Sequence, residues 1–465
     1  MRVVIQAQSA PAQVDTRRVG AAVAAAGLSS FALLYAPQPV LPQLAAAFRL
    51  DPGSASLAIG VATGALAVAV LPVAALAETV GRRRMIVWSV VVSAVLGLLL
   101  PLAPSFPVLL VMRAVQGVAI AGFAGVAAAY LADQVGPGRL AGAVGAMIAG
   151  NSVGGMTGRL GTGFAAGPLG WHGALAVVAG VALACALFAA LTLPRTPSPQ
   201  HAPSPAHAPA PGAARVPARG SAPGRAPVPV PAHDPASSGE PADGAHVERG
   251  RRAHSRAAHV RPDATWAGRP RTDSTRAGRR GAGVGVLVPC MVGALATGAF
   301  VALYNAAGFR LAGEPLSLSP AVASLVFLSY AMGTASSAAA GRLAARLGRT
   351  TALVTSLIVT VAGSALTLHP SLPAMSLGFA LLTAGFFAAH AIANAWVAAQ
   401  ASPQARGRAA GLYTLCFYLG SGAGGTAGTI VYGHAGWSWL IALTSAWLLL
   451  ATLAVLLRAR RDPAG

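Results

Sequence analysis

The sequence predicts an all-α membrane protein in which twelve transmembrane helices form two pseudo-symmetric six-helix bundles. Three observations carry this expectation: a composition too apolar for water, twelve stretches long enough to cross a bilayer, and an internal repeat that lays the first six stretches on the last six. Of 465 residues, 55% are hydrophobic and 10% charged, whereas a soluble domain has about one charged residue in four. The mean hydropathy of +0.63 agrees. Aromatic residues make up only 6% of the chain against 55 glycines, and small side chains of this kind let helices approach closely inside lipid. Disordered and disulfide-scaffold classes are excluded for the chain as a whole. Cys185, Cys290 and Cys416 lie in separate apolar runs and read as packing residues, not as a thiolate metal site.

Windows of about 20 apolar residues, enough to cross a hydrocarbon core about 30 Å thick, fall near 19–40, 56–77, 85–103, 107–131, 140–165 and 171–193. Six more fall near 284–308, 318–340, 350–369, 373–397, 407–433 and 436–457. The first has no clear signal-peptidase site and reads as a span, not a cleaved leader. Residues 194–283, rich in Pro, Ala, Arg, His and Ser, contain no window that could cross lipid or build a core. The expected plan is an N-terminal tail (1–18), a six-helix bundle (19–193), a disordered linker (194–283), a second bundle (284–457) and a C-terminal tail (458–465).

Orientation follows from arginine, because cytoplasmic loops retain positive charge. The chain has no lysine. With both termini inside, fifteen arginines of the tails and loops fall on the cytoplasmic side, and only Arg49 and Arg310 fall outside, before the linker's fourteen are added. The linker and both termini are thus expected in the cytoplasm and the chain in the cell membrane. Much of the net charge of +21 is topology, not affinity for nucleic acid.

The repeat appears at three places. Phe31–Tyr35 reads FALLY and Phe300–Tyr304 reads FVALY, 269 residues on; LAETVGRRR from Leu76 returns as LAARLGRTT from Leu343, 267 on. Gly150, Gly154, Gly155 and Gly158 of span 5 return as Gly420, Gly424, Gly425 and Gly428 of span 11, 270 on. Duplicated halves are common in transporter folds.

These residues resemble the major facilitator superfamily, and within it the 12-helix drug/proton antiporter-like branch; the likeness covers both bundles and excludes the linker. Its strongest element is the loop after span 2, where the family pattern is Gly-x-Leu-Ala-Asp-Arg-x-Gly-Arg-Arg. Leu76, Ala77, Gly81, Arg82 and Arg83 match, Glu78 stands for the Asp, and Ala74 and Thr79 depart. The second copy keeps Gly341, Leu343, Ala344, Arg346, Gly348 and Arg349 but has Ala345 in place of the acid. Span 4 carries Arg113-x-x-Gln116-Gly117, similar to the family's Arg-x-x-Gln-Gly. Span 5 carries Gly150-x-x-x-Gly154-Gly155-x-x-Gly158-Arg159, similar to the antiporter motif Gly-x-x-x-Gly-Pro-x-x-Gly-Gly, with Gly155 and Arg159 as departures. The resemblance implies alternating access around a central site. It also implies that spans 1 and 7 line that site, which brings in Tyr35, Gln38, Tyr304 and Asn305.

The motifs also have a physical reading of their own. Gly81 permits a tight reversal that aims Arg82 and Arg83 at headgroups, acids or helix C-termini. Glu78 then serves either as half of a latch that closes the cytoplasmic ends of the bundles or as part of plain positive-inside anchoring. The glycine ladders Gly150/Gly154/Gly158 and Gly420/Gly424/Gly428 mark helix interfaces.

Ionisable groups inside a membrane are functional candidates, and here they are Arg113, Arg159 and His390. Arg113, with Gln116 one turn on, either satisfies carbonyls of a neighbouring helix or serves substrate and coupling. Arg159 either faces the cavity or snorkels outward. His390 is either a satisfied core histidine or a proton carrier. Asn394 and Trp396 join it in span 10, and Pro37, Pro39 and Pro42 break span 1 and free carbonyls.

No acid falls mid-membrane, so the polar interior tilts positive and suits neutral or anionic solutes better than cations. Failing His390, a proton would have to ride on Asp51, Asp133 or Glu314.

The expected function is secondary active transport of small organic solutes, as proton-coupled efflux of drug-like compounds or metabolites. Alternatives are transport of organic anions or sugars and, from another class, a non-transporting sensor or scaffold. The expected partners are the bilayer, a small-molecule substrate and protons, with a monomeric chain. No metal, cofactor, nucleotide or catalytic motif stands out, so an enzyme is not expected.

Overall fold

A computed structural model of the chain describes residues 16–135, 137–194, 277–401 and 405–461. Most of the proposed linker and of the N-terminal tail lie outside the described residues.

Helix α1, Thr16–Tyr35, stops where Pro37 and Pro39 remove backbone donors. A short 3₁₀ turn at Gln38–Val40 leads into α2, Leu41–Phe48. Asp51 then caps α3, Pro52–Val80, accepting from the Ser54 amide at 3.0 Å, with Pro52 at the first helical position. Gly81, at φ +98°, ends α3 and opens α4, Arg82–Leu99. Next come α5, Phe106–Gln134, and α6, Pro137–Thr192.

The 56 residues of α6 would stretch about 84 Å as one rod, far beyond one bilayer core. Gly170, at φ +62°, breaks it into two crossings. After the linker come α7, Ala277–Ala312; α8, Pro320–Ser324; α9, Tyr330–Leu347; α10, Arg349–Leu366; and α11, Leu372–Gln400. Helix α12, Arg406–Leu419, passes through a π-helical turn at Gly420–Gly424 into α13, Gly425–Arg461. There Gly436, at φ +81°, repeats the break of Gly170. Among the described residues ten stretches are long and apolar enough to cross a membrane, and two of them are double length, which gives twelve crossings.

Three of the boundaries expected between tails, linker and bundles differ in the structure. Helix α7 starts at Ala277, inside the linker drawn to 283; α1 starts at Thr16, inside the tail drawn to 18; and α13 runs to Arg461, past 457. An apolar window measures the lipid crossing, whereas the backbone ladder continues into water wherever residues tolerate helix.

The repeat holds at the level of contacts. A Cβ on Gly150, Gly154 or Gly158 would strike the α1 backbone at Ala24, Leu28 or Ala32, the first at 2.3 Å from the Ala24 carbonyl oxygen. On Gly420, Gly424 and Gly428 it would meet Ala294, Gly298 and Ala302 of α7, each 270 residues on. Glycine here allows backbone-to-backbone approach in both halves. The outer surface is apolar, with Leu191 82% and Leu102 73% exposed, as expected of a surface that meets hydrocarbon.

The loops at Gly81 and Gly348 lie on an arginine-rich face. Arg82 pairs with Glu78 at 2.8 Å and Asp133 at 2.6 Å, while Arg83 donates to the carbonyls of Leu193 and Ala190 at the end of α6. All of these partners belong to the first bundle. In the second copy, where Ala345 replaces the acid, Arg349 instead lies over the Trp396 ring at 4.8 Å, and Arg346 is exposed in the last turn of α9.

Candidate solute cavity between the bundles

The two halves enclose a cavity of about 430 Å³. The first half contributes Phe31, Tyr35, Asn151 and Arg159; the second contributes Phe300, Tyr330, Phe386, His390, Asn394 and Tyr413, among others. Among the described residues no Asp or Glu lines it. Its rings supply flat apolar walls, and its few polar groups can orient a solute, the usual make-up of a small-molecule site.

Away from the arginine-rich face the cavity is sealed. Arg159, only 2% exposed, donates from Nε to Gln38 Oε1 at 2.5 Å and from Nη1 to the Gly155 carbonyl at 2.8 Å. Its guanidinium carbon stands 4.0 Å from the Tyr35 ring centre and 4.6 Å from that of Tyr330. Gln38 Nε2 in turn donates to Asn305 Oδ1 at 2.7 Å. The chain Arg159–Gln38–Asn305 therefore ties the first half to the second. Beside it Gly163 packs on Ser324, and Gly308 on Pro42. Toward the arginine-rich face the lining opens, and Asn394 is exposed.

Farther along, Tyr413 Oη lies 2.8 Å from His390 Nδ1 and 3.3 Å from the carbonyl oxygen of His390. The Phe417 ring centre stands 4.7 Å from the imidazole. Tyr35, Arg159, His390 and Asn394 thus line the cavity, and Gln38 and Asn305 form the tie beyond its sealed end.

Four other candidates lie elsewhere. Tyr304 Oη is held between Ser329 Oγ and Thr383 Oγ1 within the second half. Arg113, fully buried, donates to the carbonyls of Ala58 at 2.7 Å, Leu33 at 3.1 Å and Leu34 at 2.6 Å, and to Gln116 Oε1. Gln116 donates on to the Ser93 carbonyl. Trp396 is buried against Arg349.

Sequence reasoning missed Tyr330 and Tyr413, since an aromatic residue in a span reads as packing. It also missed Asn151, whose place next to Gly150 on the glycine-ladder helix could have signalled a polar group at an interface.

Two repeated six-helix halves around a mixed polar and aromatic cavity, tied shut at one end, define a transporter-type membrane fold. The chain matches the sequence profile of the Major Facilitator Superfamily over residues 23–266 and 276–465 and belongs to that family of transporters. The first matched stretch runs on past the bundle into the Pro/Ala/Arg-rich segment. The chain is 31% identical over 436 residues to the inner membrane transport protein YnfM of Escherichia coli, covering 94% of this chain and 89% of that one. It is 29% identical over 435 residues to the uncharacterized MFS-type transporter YybF of Bacillus subtilis, covering 94% and 92%. The fold is similar to the inward-facing, occupied crystal structure of a bacterial homolog of the human lysosomal transporter Spinster. That TM-score is 0.68 at 16% identity, over 95% of this chain and 96% of that chain. It is also similar to the nucleoside transporter NupG, at TM-score 0.63 and 14% identity, over 94% and 99%.

Proposed function

We propose that this protein is a proton-coupled exporter of small organic solutes, drug-like compounds or metabolites, with its arginine-rich face in the cytoplasm. In that orientation the present state is closed to the outside and takes solute from within. The observation that carries the proton coupling is the His390–Tyr413 pair on the cavity wall. Histidine can take up and release a proton on a ring nitrogen while keeping its hydrogen bond to the tyrosine, and among the described residues no carboxylate lines the cavity to compete with it.

The Tyr413 hydroxyl suits both protonation states. It donates to Nδ1 when the imidazole is neutral; when Nδ1 carries a proton it accepts that N–H and turns its own proton to the His390 carbonyl. Proton uptake from outside and release inside, alternating with solute movement the other way, gives antiport.

The test uses a solute selected by a thermal-shift screen of the purified protein, with flux measured in proteoliposomes. His390→Gln keeps hydrogen bonding and similar bulk but removes the titration. Accumulation driven by a pH gradient should vanish while downhill exchange persists; retained accumulation refutes the assignment. A second reading, transport of organic anions, is favoured by Arg159, with which no carboxylate pairs among the described residues.

A further inference from the structure

Arg159 has five N–H donors and uses them incompletely. Nε is taken by Gln38 and one proton of Nη1 by Gly155, while Nη2 makes no hydrogen bond to the described residues. Because the guanidinium lines the cavity, its remaining donors depend on water or a solute for their solvation. The rings of Tyr35, Tyr330 and Phe327, at 4.0, 4.6 and 5.4 Å, face the cation and replace only part of that solvation.

What the group lacks is a planar oxyanion. A carboxylate accepts two parallel N–H bonds from a guanidinium and outcompetes a neutral amide oxygen as acceptor. The walls around the cavity add the second half of the specificity, since Phe300, Phe386 and Phe417 present apolar rings within reach of the same space.

The acceptor that Arg159 now uses also belongs to the closure. Gln38 receives Arg159 on Oε1 and reaches across to Asn305 with Nε2. We infer that Arg159 is the receptor for the carboxylate of small aromatic acids, and that this carboxylate displaces Gln38 from Arg159 and so loosens the tie between the halves. The solute would thereby undo the outer closure by binding. The inference rests on the reading of the cavity as the solute site and holds for either coupling scheme.

The experiment uses the purified full chain and matched probes that share a ring and differ in charge. These are benzoate, benzamide and benzylammonium, and 2-naphthoate, 2-naphthamide and 2-naphthylmethylammonium, with apparent affinities read from thermal stabilisation. The acids should bind at least tenfold more tightly than the amides and amines. Arg159→Gln should erase the preference of acid over amide. Should that variant fail to fold, Gln38→Ala carries the test: with the competing acceptor gone, acid affinity should rise severalfold while amide affinity stays the same, which a merely structural Gln38 would not produce. Equal binding of acid and amide to the unmodified protein overturns the receptor and leaves the solute cavity standing. An unchanged acid preference in folded Arg159→Gln, or unchanged acid affinity in Gln38→Ala, also overturns it. Binding of none of the probes removes both the receptor and the cavity reading.

Discussion

Replacing Arg113 should cost stability before it costs anything else. Pro37 has no N–H, so the Leu33 carbonyl, four residues earlier, has no helical donor. Arg113 supplies one, at 3.1 Å, and also bonds the carbonyls of Leu34 and Ala58 and the Gln116 side chain. One guanidinium thus pins the broken end of α1 to α3 and α5. At about 0.6 kcal/mol for an average side-chain bond inside a membrane protein, four such bonds come to roughly 2 kcal/mol. At the 1.5 kcal/mol or more of a bond to a charged group, they come to roughly 6 kcal/mol. Arg113→Lys keeps the charge but offers one ammonium centre that cannot reach acceptors on three helices at once. It should lose at least about 2 kcal/mol in reversible unfolding by denaturing detergent, within the range worked from those bonds. Proton-driven and downhill flux should fall together, because the α1 wall that carries Phe31 and Tyr35 shifts. An Arg113→Lys protein within about 0.5 kcal/mol of the original, the scatter of an unremarkable substitution, would refute this account. If it had also lost only solute affinity, Arg113 would become a binding residue.

Three further outcomes are expected. Gly154→Ala places a Cβ 2.4 Å from the Leu28 carbonyl oxygen, and the forced separation of α1 and α6 should cost about 1–3 kcal/mol in the same unfolding assay. Asp51→Ala removes the α3 cap at a cost of about 1 kcal/mol at neutral pH. The side-chain and backbone hydrogen bonds from Ser54 hold the Asp51 carboxyl below its ordinary value, so its contribution is complete above the unfolded-state pKa and disappears as pH falls through the lower folded one. Stability measured down an acid series should show the mutant and original converging there. Replacing residues 200–276, which hold too little apolar content to bury, with a flexible segment of equal reach should leave turnover nearly unchanged in proteoliposomes; loss of flux in a protein that still inserts would contradict it.

Much of the architecture was legible in the amino-acid order because lipid imposes it. Each crossing needs a long apolar run, so the twelve spans stand out. The glycine ladder predicts a close helix contact because only a missing Cβ lets backbones touch, and Gly150, Gly154 and Gly158 meet α1 as their copies meet α7. The sequence could not separate Arg113 from Arg159, each a lone cation in an apolar span. Tertiary structure separates them: the α1 carbonyl left open by Pro37 draws Arg113 into the first bundle, while Arg159 finds Gln38 and a ring of aromatic side chains from both halves. The direction of a side chain depends on how its helix is rotated against its neighbours, and packing between residues far apart in the chain sets that rotation. For the same reason Tyr413 could be matched to His390 only once α11 and α12 lay side by side.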